Sequence, residues 1–115
     1  MLIRIKNLKL KTIIGIYDFE EKIQRELIFN IELEVKNNKA LKSDDVADTV
    51  DYDNIIKIVK TIGKKRFALI EKMAAEIIDE IMKNKKVARC KLEIDKTKLY
   101  DDVDTCSVLI EKKRK

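Results

Sequence analysis

The chain contains no histidine, so any acid–base or nucleophilic chemistry must come from Lys, Tyr, Asp, Glu or Cys. That absence excludes Ser-His-Asp and Cys-His pairs and any His-ligated zinc site. Four positions depart from the pattern around them. The stretch Gly15 to Glu20, G-I-Y-D-F-E, holds one of the two glycines, and Asp18, Glu20 and Glu21 cluster there. A hairpin connection anchored by Tyr17 and Phe19 explains the aromatics but not the acids. Tyr52 stands between Asp51 and Asp53 where a helix is expected to begin; a packed ring with its hydroxyl in water is the ordinary use of such a residue. Glu71 borders an apolar stripe, and its i+3 and i+4 neighbours Ala74 and Ala75 leave space above it. It is either a boundary charge or a carboxylate that receives the paired N–H donors of a planar ligand, in the bidentate manner of Arg. Lys96 and Lys98 leave a strand-like stretch just after Asp95. A strand-end pair in solvent is the commoner arrangement, and proton transfer is the functional one.

The elements that must position these residues follow from periodicity. Leu2, Ile3 and Ile5 stand between charges, and the apolar series resumes at Leu8 and Leu10 within a segment running from Met1 to Ile14. Leu27, Phe29, Ile31, Leu33 and Val35 alternate with Ile28, Asn30, Glu32, Glu34 and Lys36; Ala88, Cys90, Leu92 and Ile94 with Arg89, Lys91, Glu93 and Asp95; and Cys106, Val108 and Ile110 with Ser107, Leu109 and Glu111. Period two over such lengths predicts strands with one face on a core and one face wetter. Ile55, Ile58, Val59 and Ile62 have helical spacing, with Asp51 or Asp53 placed to cap the start and Gly63 to end the helix. Ile70, Met73, Ala74, Ile77, Ile78 and Ile81 form a second helical stripe. The order is β-β-α-α-β-β, an α+β arrangement of one four-stranded antiparallel sheet with two helices on one face.

At 115 residues the chain reads as a single domain spanning 1–115. Its 26 Lys plus Arg against 21 Asp plus Glu give a net charge of only +5. Basic and acidic residues interleave without a patch of aromatics, which argues against a nucleic-acid-binding module although the pI is near 9.1. No apolar run is long enough to span a bilayer, and no leader is evident. With only two cysteines, Cys90 and Cys106, the chain is expected to be cytoplasmic; a disulfide between the two is left open. Five Asp fall between Ser43 and Asn54, but the Gly and terminal Glu of an EF-hand loop are missing, so a capped, solvated loop is expected and no metal site. The charged end Glu111 to Lys115 is expected to be solvated. A four-stranded sheet leaves two open edges, and the chain has no Pro to blunt them, so copies are expected to pair edge to edge.

Four blocks in order, G-I-Y-D-F-E from Gly15, S-D-D-V-A-D-T-V-D-Y-D-N-I from Ser43, R-F-A-L-I-E-K-M-A from Arg66, and K-L-E-I-D-K from Lys91 followed by S-V-L-I-E-K from Ser107, resemble the dihydroneopterin aldolase family. The resemblance runs from the first strand to Lys113. It implies the tunnelling fold, whose subunit sheets join into a barrel as a homo-tetramer or stacked homo-octamer with active sites between subunits. It also implies retro-aldol cleavage of a small pterin, 7,8-dihydroneopterin, in folate biosynthesis without metal or organic cofactor, and with some C2′ epimerisation.

The resemblance further implies individual roles. Glu71 pairs with the 2-amino and N3–H edge of the pterin. Main-chain groups near Ile70, and near Val50 and Tyr52 of the neighbouring subunit, complete the ring pocket. Lys96 is the general acid–base, Tyr52 of the adjacent subunit protonates the ring-attached carbon, and Glu20 holds the side-chain hydroxyls and supports Lys96. Thr97 stands where the family commonly has Pro, in a charged loop expected over Thr97 to Asp104. Lys98 is the rival for the lysine role. The nearest alternative activity is 2′-epimerisation of dihydroneopterin or its triphosphate, for which Lys98 and Lys64 or Lys65 would supply extra cations.

Overall fold

A computed structural model describes residues 1–15 and 24–115. Strands β1 (Leu2–Ile13), β2 (Gln24–Val35), β3 (Val87–Tyr100) and β4 (Val103–Lys113) form one antiparallel sheet in the order β1-β2-β3-β4. Between β2 and β3 lie the one-turn α1 (Ala40–Ser43), a 3-10 turn at Val46–Asp48, and the two long helices α2 (Tyr52–Gly63) and α3 (Ile70–Met82). The expected order of the main elements is the observed one. No helix among the described residues is long and apolar enough to cross a membrane.

The core lies between the helices and one face of the sheet. Leu27, Phe29 and Leu33 of β2 and Cys90, Leu92 and Ile94 of β3 are fully buried, as are Val59 of α2 and Met73, Ile77, Ile78 and Ile81 of α3. Fully burying such side chains contributes roughly 1.5–3 kcal/mol each. The three-residue interval between Ile5 and Leu8 would turn Leu8 outward in an unbroken strand. A β-bulge absorbs it: Ile5 pairs with Ile31 and Leu8 with Phe29, and Asn7 takes φ 57°. The Asn7 main-chain amide donates across the ladder to Asn30 Oδ1 at 2.9 Å, and Asn tolerates the left-handed region that the bulge requires.

Asp51, not Asp53, caps α2, accepting from the Asp53 amide at 2.9 Å. Gly63 is the last residue of α2 and is not a left-handed cap. A Cβ there would come within 2.3 Å of Leu10 Cδ2, so the glycine serves the close approach of α2 to β1.

Two expectations are corrected. Thr97 to Asp104 is no loop. The β3–β4 ladder continues through Thr97–Thr105 to Tyr100–Val103 and closes in a tight turn at Asp101 and Asp102. Its bulge puts Lys98 at φ 59°, and the ladder hydrogen bonds explain why strand persists without apolar alternation. The charged end is not fully solvated either. Arg114 donates from its amide to the Ala88 carbonyl at 2.8 Å and from Nε to the Val87 carbonyl at 3.0 Å, and its guanidinium also reaches the Met82 and Asn84 carbonyls. It thereby satisfies carbonyls that the end of α3 would otherwise leave open.

The wet face is charged and paired. The Arg89 guanidinium is 2.8 Å from Glu32, 3.3 Å from Glu34 and 3.8 Å from Glu111, while Arg4 meets Glu32 at 2.9 Å. Arg89 first, then Arg4, hold the Glu32 carboxyl below the ordinary range. A depressed carboxylate stabilises the fold above its unfolded pKa of roughly 4.3 and loses that contribution as pH falls through its lower folded value. Arg89→Leu is therefore expected to lower the melting temperature at pH 7 by on the order of a few degrees. In melting curves recorded from pH 7 to pH 3, the gap to wild type should narrow below about pH 4; a gap constant with pH would refute the electrostatic origin.

Candidate active site

The end of β1 fixes where α3 begins. The Gly15 amide donates to the Phe67 carbonyl at 3.1 Å, the Phe67 amide to the Ile13 carbonyl at 3.5 Å, and Ile14 pairs with Phe67 in a short parallel bridge. This stitch carries the chain to Leu69, the N-cap residue of α3, which is extended (φ −130°, ψ 140°) and offers no side-chain cap. The first-turn amides are therefore not covered by a capping side chain. Ile70 turns into the core and Glu71 remains exposed. A carboxylate in the first turn also sits favourably at the positive end of the helix dipole.

Lys96 arrives from the opposite side. It shares the face of Cys90, Leu92 and Ile94, the core face of β3, and its register partners are Leu27 on β2 and Cys106 on β4. Successive side chains of a strand alternate in facing, so Lys96 points toward the helical layer at the place where that layer stops. Ala68 to Glu71 and Ile14 form one wall, and Lys96 with Cys106 to Val108 the other, of a cavity of about 240 Å³. The structure thus brings together Glu71, Ile70 and Lys96. It does not bring Val50 or Tyr52 to this cavity: Val50 is buried beside the start of α2, and Tyr52 is 57% exposed there. Glu20 lies outside the described residues. Lys98, in its left-handed bulge position, is exposed and does not line the cavity.

A groove of about 650 Å³ between α2 and α3 is larger. Its lining alternates Lys57, Lys65 and Lys83 with Glu76, Asp79 and Glu80, and Lys65 already pairs with Glu76 at 3.3 Å. Of the residues named from sequence as site candidates it holds only Lys65, offered as a cation for a phosphorylated substrate. Among the described residues no group of three or more His, Cys, Asp or Glu is placed to hold a metal. Two of the five aspartates in the loop are engaged as caps, Asp45 on the Ala47 amide and Asp51 on the Asp53 amide, both at 2.9 Å.

Sequence reasoning missed Cys106 as a cavity residue. Its register opposite Lys96 is a hairpin property, visible only once the ladder is known. Both thiols are free; they stand opposite different residues, Cys90 opposite Lys112 and Cys106 opposite Lys96, which separates them along the sheet. Burial pushes the Cys90 thiol up to about 12, whereas Cys106 is exposed.

An antiparallel sheet of this order, with a cavity of small-molecule size between the start of α3 and the end of β3, places the chain in an α+β class of β-β-α-α-β-β folds. Within that class, the family model for dihydroneopterin aldolase matches residues 3–111. The chain belongs to the dihydroneopterin aldolase family. It is 42% identical over 79 residues to the dihydroneopterin aldolase of Escherichia coli K12, a match covering 68% of this chain and 65% of that protein's length. It is also 31% identical over 110 residues to the dihydroneopterin triphosphate 2′-epimerase of the same organism, covering 95% of this chain and 92% of the relative. The crystal structure of Escherichia coli dihydroneopterin aldolase in complex with neopterin superposes with a TM-score of 0.92 at 33% identity, covering 97% of this chain and 98% of that one.

The two thiols give a direct check on the cavity. Iodoacetamide applied to the native protein is expected to label Cys106 and to leave Cys90 unmodified until the chain is denatured, as read by peptide mass spectrometry. Equal native labelling of both would contradict the burial described.

Proposed function

We propose that the chain cleaves 7,8-dihydroneopterin by a retro-aldol reaction to 6-hydroxymethyl-7,8-dihydropterin and glycolaldehyde. The observation that carries the reading is that Glu71 and Lys96 face each other across one cavity of about 240 Å³, within a chain of this family. Glu71 pairs with the 2-amino and N3–H donors of the pterin, and main-chain groups at Ile70 hold the ring. Orientation of this kind is worth several kcal/mol of barrier in well-positioned systems.

Lys96, acting through a water, takes the proton of the 2′-hydroxyl. The C2′ oxygen becomes the aldehyde carbonyl, the C1′–C2′ bond breaks, and its electron pair moves into the ring C=N to give an enamine. A proton delivered to C1′ completes the hydroxymethyl product. The substrate supplies its own electron sink, so the protein needs to orient the ring and move protons. Tyr52 delivers the C1′ proton and Val50 closes the ring pocket, both from an adjacent subunit of a homo-tetramer or homo-octamer, and Glu20 holds the side-chain hydroxyls and supports Lys96. The position of Val50 and Tyr52 away from this chain's own cavity supports that division, as do the open edges of β1 and β4.

A second reading has a specific support: the likeness to the triphosphate 2′-epimerase covers 95% of the chain. Re-addition of glycolaldehyde through its other face, at the same residues, would invert C2′. Incubation with dihydroneopterin and with its triphosphate, assaying glycolaldehyde and the 2′-epimer, separates the two. Glycolaldehyde from dihydroneopterin is expected; epimer from the triphosphate without aldehyde would replace the aldolase reading.

Four variants test the roles. Lys96→Ala is expected to lose roughly 10²–10⁴-fold in kcat while pterin binding survives. Glu71→Ala should chiefly weaken binding, by about 10- to 100-fold, because a charge-assisted bidentate pair is lost. Tyr52→Phe should slow cleavage at the protonation step. If Lys98→Ala is the crippled lysine variant instead, the lysine assignment is wrong.

A further inference from the structure

Beyond Lys96 no helix among the described residues lies over the sheet. The β3–β4 ladder continues through Thr97–Thr105 to Tyr100–Val103 as a two-stranded arm. Asp101 and Asp102 make its turn, and Asp104 lies two residues from the cavity residue Cys106 on the same strand. All three aspartates are exposed, and none forms an ion pair with a described residue. Against them the arm carries one lysine, Lys98, set in the bulge opposite Asp104. The ladder hydrogen bonds hold these charges in place.

This inference rests on the pterin reading above. With its pyrimidine edge on Glu71, a pterin presents its other end, which bears the C6 side chain, to the wall of Lys96 and Cys106. Whatever extends that side chain heads toward the strands that become the arm. At ~3.3 Å per residue, Asp104 lies roughly 7 Å beyond Cys106. That is within the ~8 Å Debye length at physiological ionic strength, with Asp101 and Asp102 further out.

We propose that the arm is a specificity element of the site: Asp104, Asp101 and Asp102 select a pterin whose side chain is uncharged and reject one that ends in phosphate. Each phosphate group brings about −1.5 to −2 charges at neutral pH. Repulsion of this kind acts on ground state and transition state alike, so it raises KM and leaves kcat unchanged. It should also fade as salt rises.

The test compares wild type with the Asp101→Asn/Asp102→Asn/Asp104→Asn variant at low and high salt. Dissociation constants for neopterin and neopterin triphosphate are measured by calorimetry, alongside steady-state kinetics on the dihydro forms. At low salt, wild type is expected to bind neopterin more tightly than the triphosphate. The variant should improve triphosphate binding by about tenfold, with neopterin binding and dihydroneopterin turnover unchanged. High salt should bring wild type toward the variant. Asp104→Asn alone, nearest the cavity, should recover the larger part. A binding ratio unmoved by the substitutions, or tighter triphosphate binding by wild type at low salt, would overturn the proposal. Failure of the underlying reading is distinguishable: selective binding without glycolaldehyde overturns the aldolase reaction and leaves the arm's role standing, whereas binding of neither compound removes both.

Discussion

The helical layer is shorter than the sheet it covers, and the cavity exists because of that mismatch. A helix rises ~1.5 Å per residue and a strand ~3.3 Å. The 13 residues of α3 therefore reach about 20 Å and the 14 residues of β3 about 46 Å. The molecule is accordingly elongated, 51 × 26 × 25 Å. Where α3 covers β3, the core face carries Cys90, Leu92 and Ile94, all fully buried. The next residue on that face is Lys96, just past the edge of the cover. An ammonium fits there because the strand's two-residue period aims it inward where the helices of the described residues end.

Much of the architecture was legible because it is written in local periodicity. The alternation from Leu27 to Val35 and the stripe from Ile70 to Ile81 each specify an element and a buried face without reference to anything distant. The remainder was set by tertiary structure. The bulge at Asn7 resets a parity that sequence shows only as an awkward spacing. The arm from Thr97 to Asp104 lacks apolar alternation, so its strand character comes from the ladder alone. Arg114 reads as one more charge in a basic tail until the end of α3 is seen beside it. For the site, Glu71 and Lys96 are single residues in separate elements, and periodicity does not join them; the family resemblance did. Val50 and Tyr52 were expected from a neighbouring subunit, and in this chain they stand away from the cavity.

The two faces of the sheet handle charge in different ways. On the wet face, Arg89 of β3 satisfies three carboxylates from the two flanking strands, so neighbouring charges neutralise one another. Next to this network, burial and then the Asp95 carboxylate raise the Glu93 pKa, with Lys91 opposing them. On the arm beyond the cavity the aspartates are left without ion-pair partners among the described residues. A net charge of +5 thus conceals a surface sorted into paired and unpaired regions, which bulk electrostatics would not reveal.

The register of β2 against β3 also has a consequence for the order in which the protein is made. The β1–β2 and β3–β4 hairpins join neighbouring stretches of chain, as α2 and α3 do, and can form early. The Leu27–Lys96 pairing instead closes a loop that contains both helices, and closure of a long loop is the entropically slow step. The wall bearing Lys96 cannot face the wall bearing Glu71 until that closure is complete. A chain halted before it would hold most of its secondary structure and none of its pocket. Assembly of the pocket would therefore be the last event of folding.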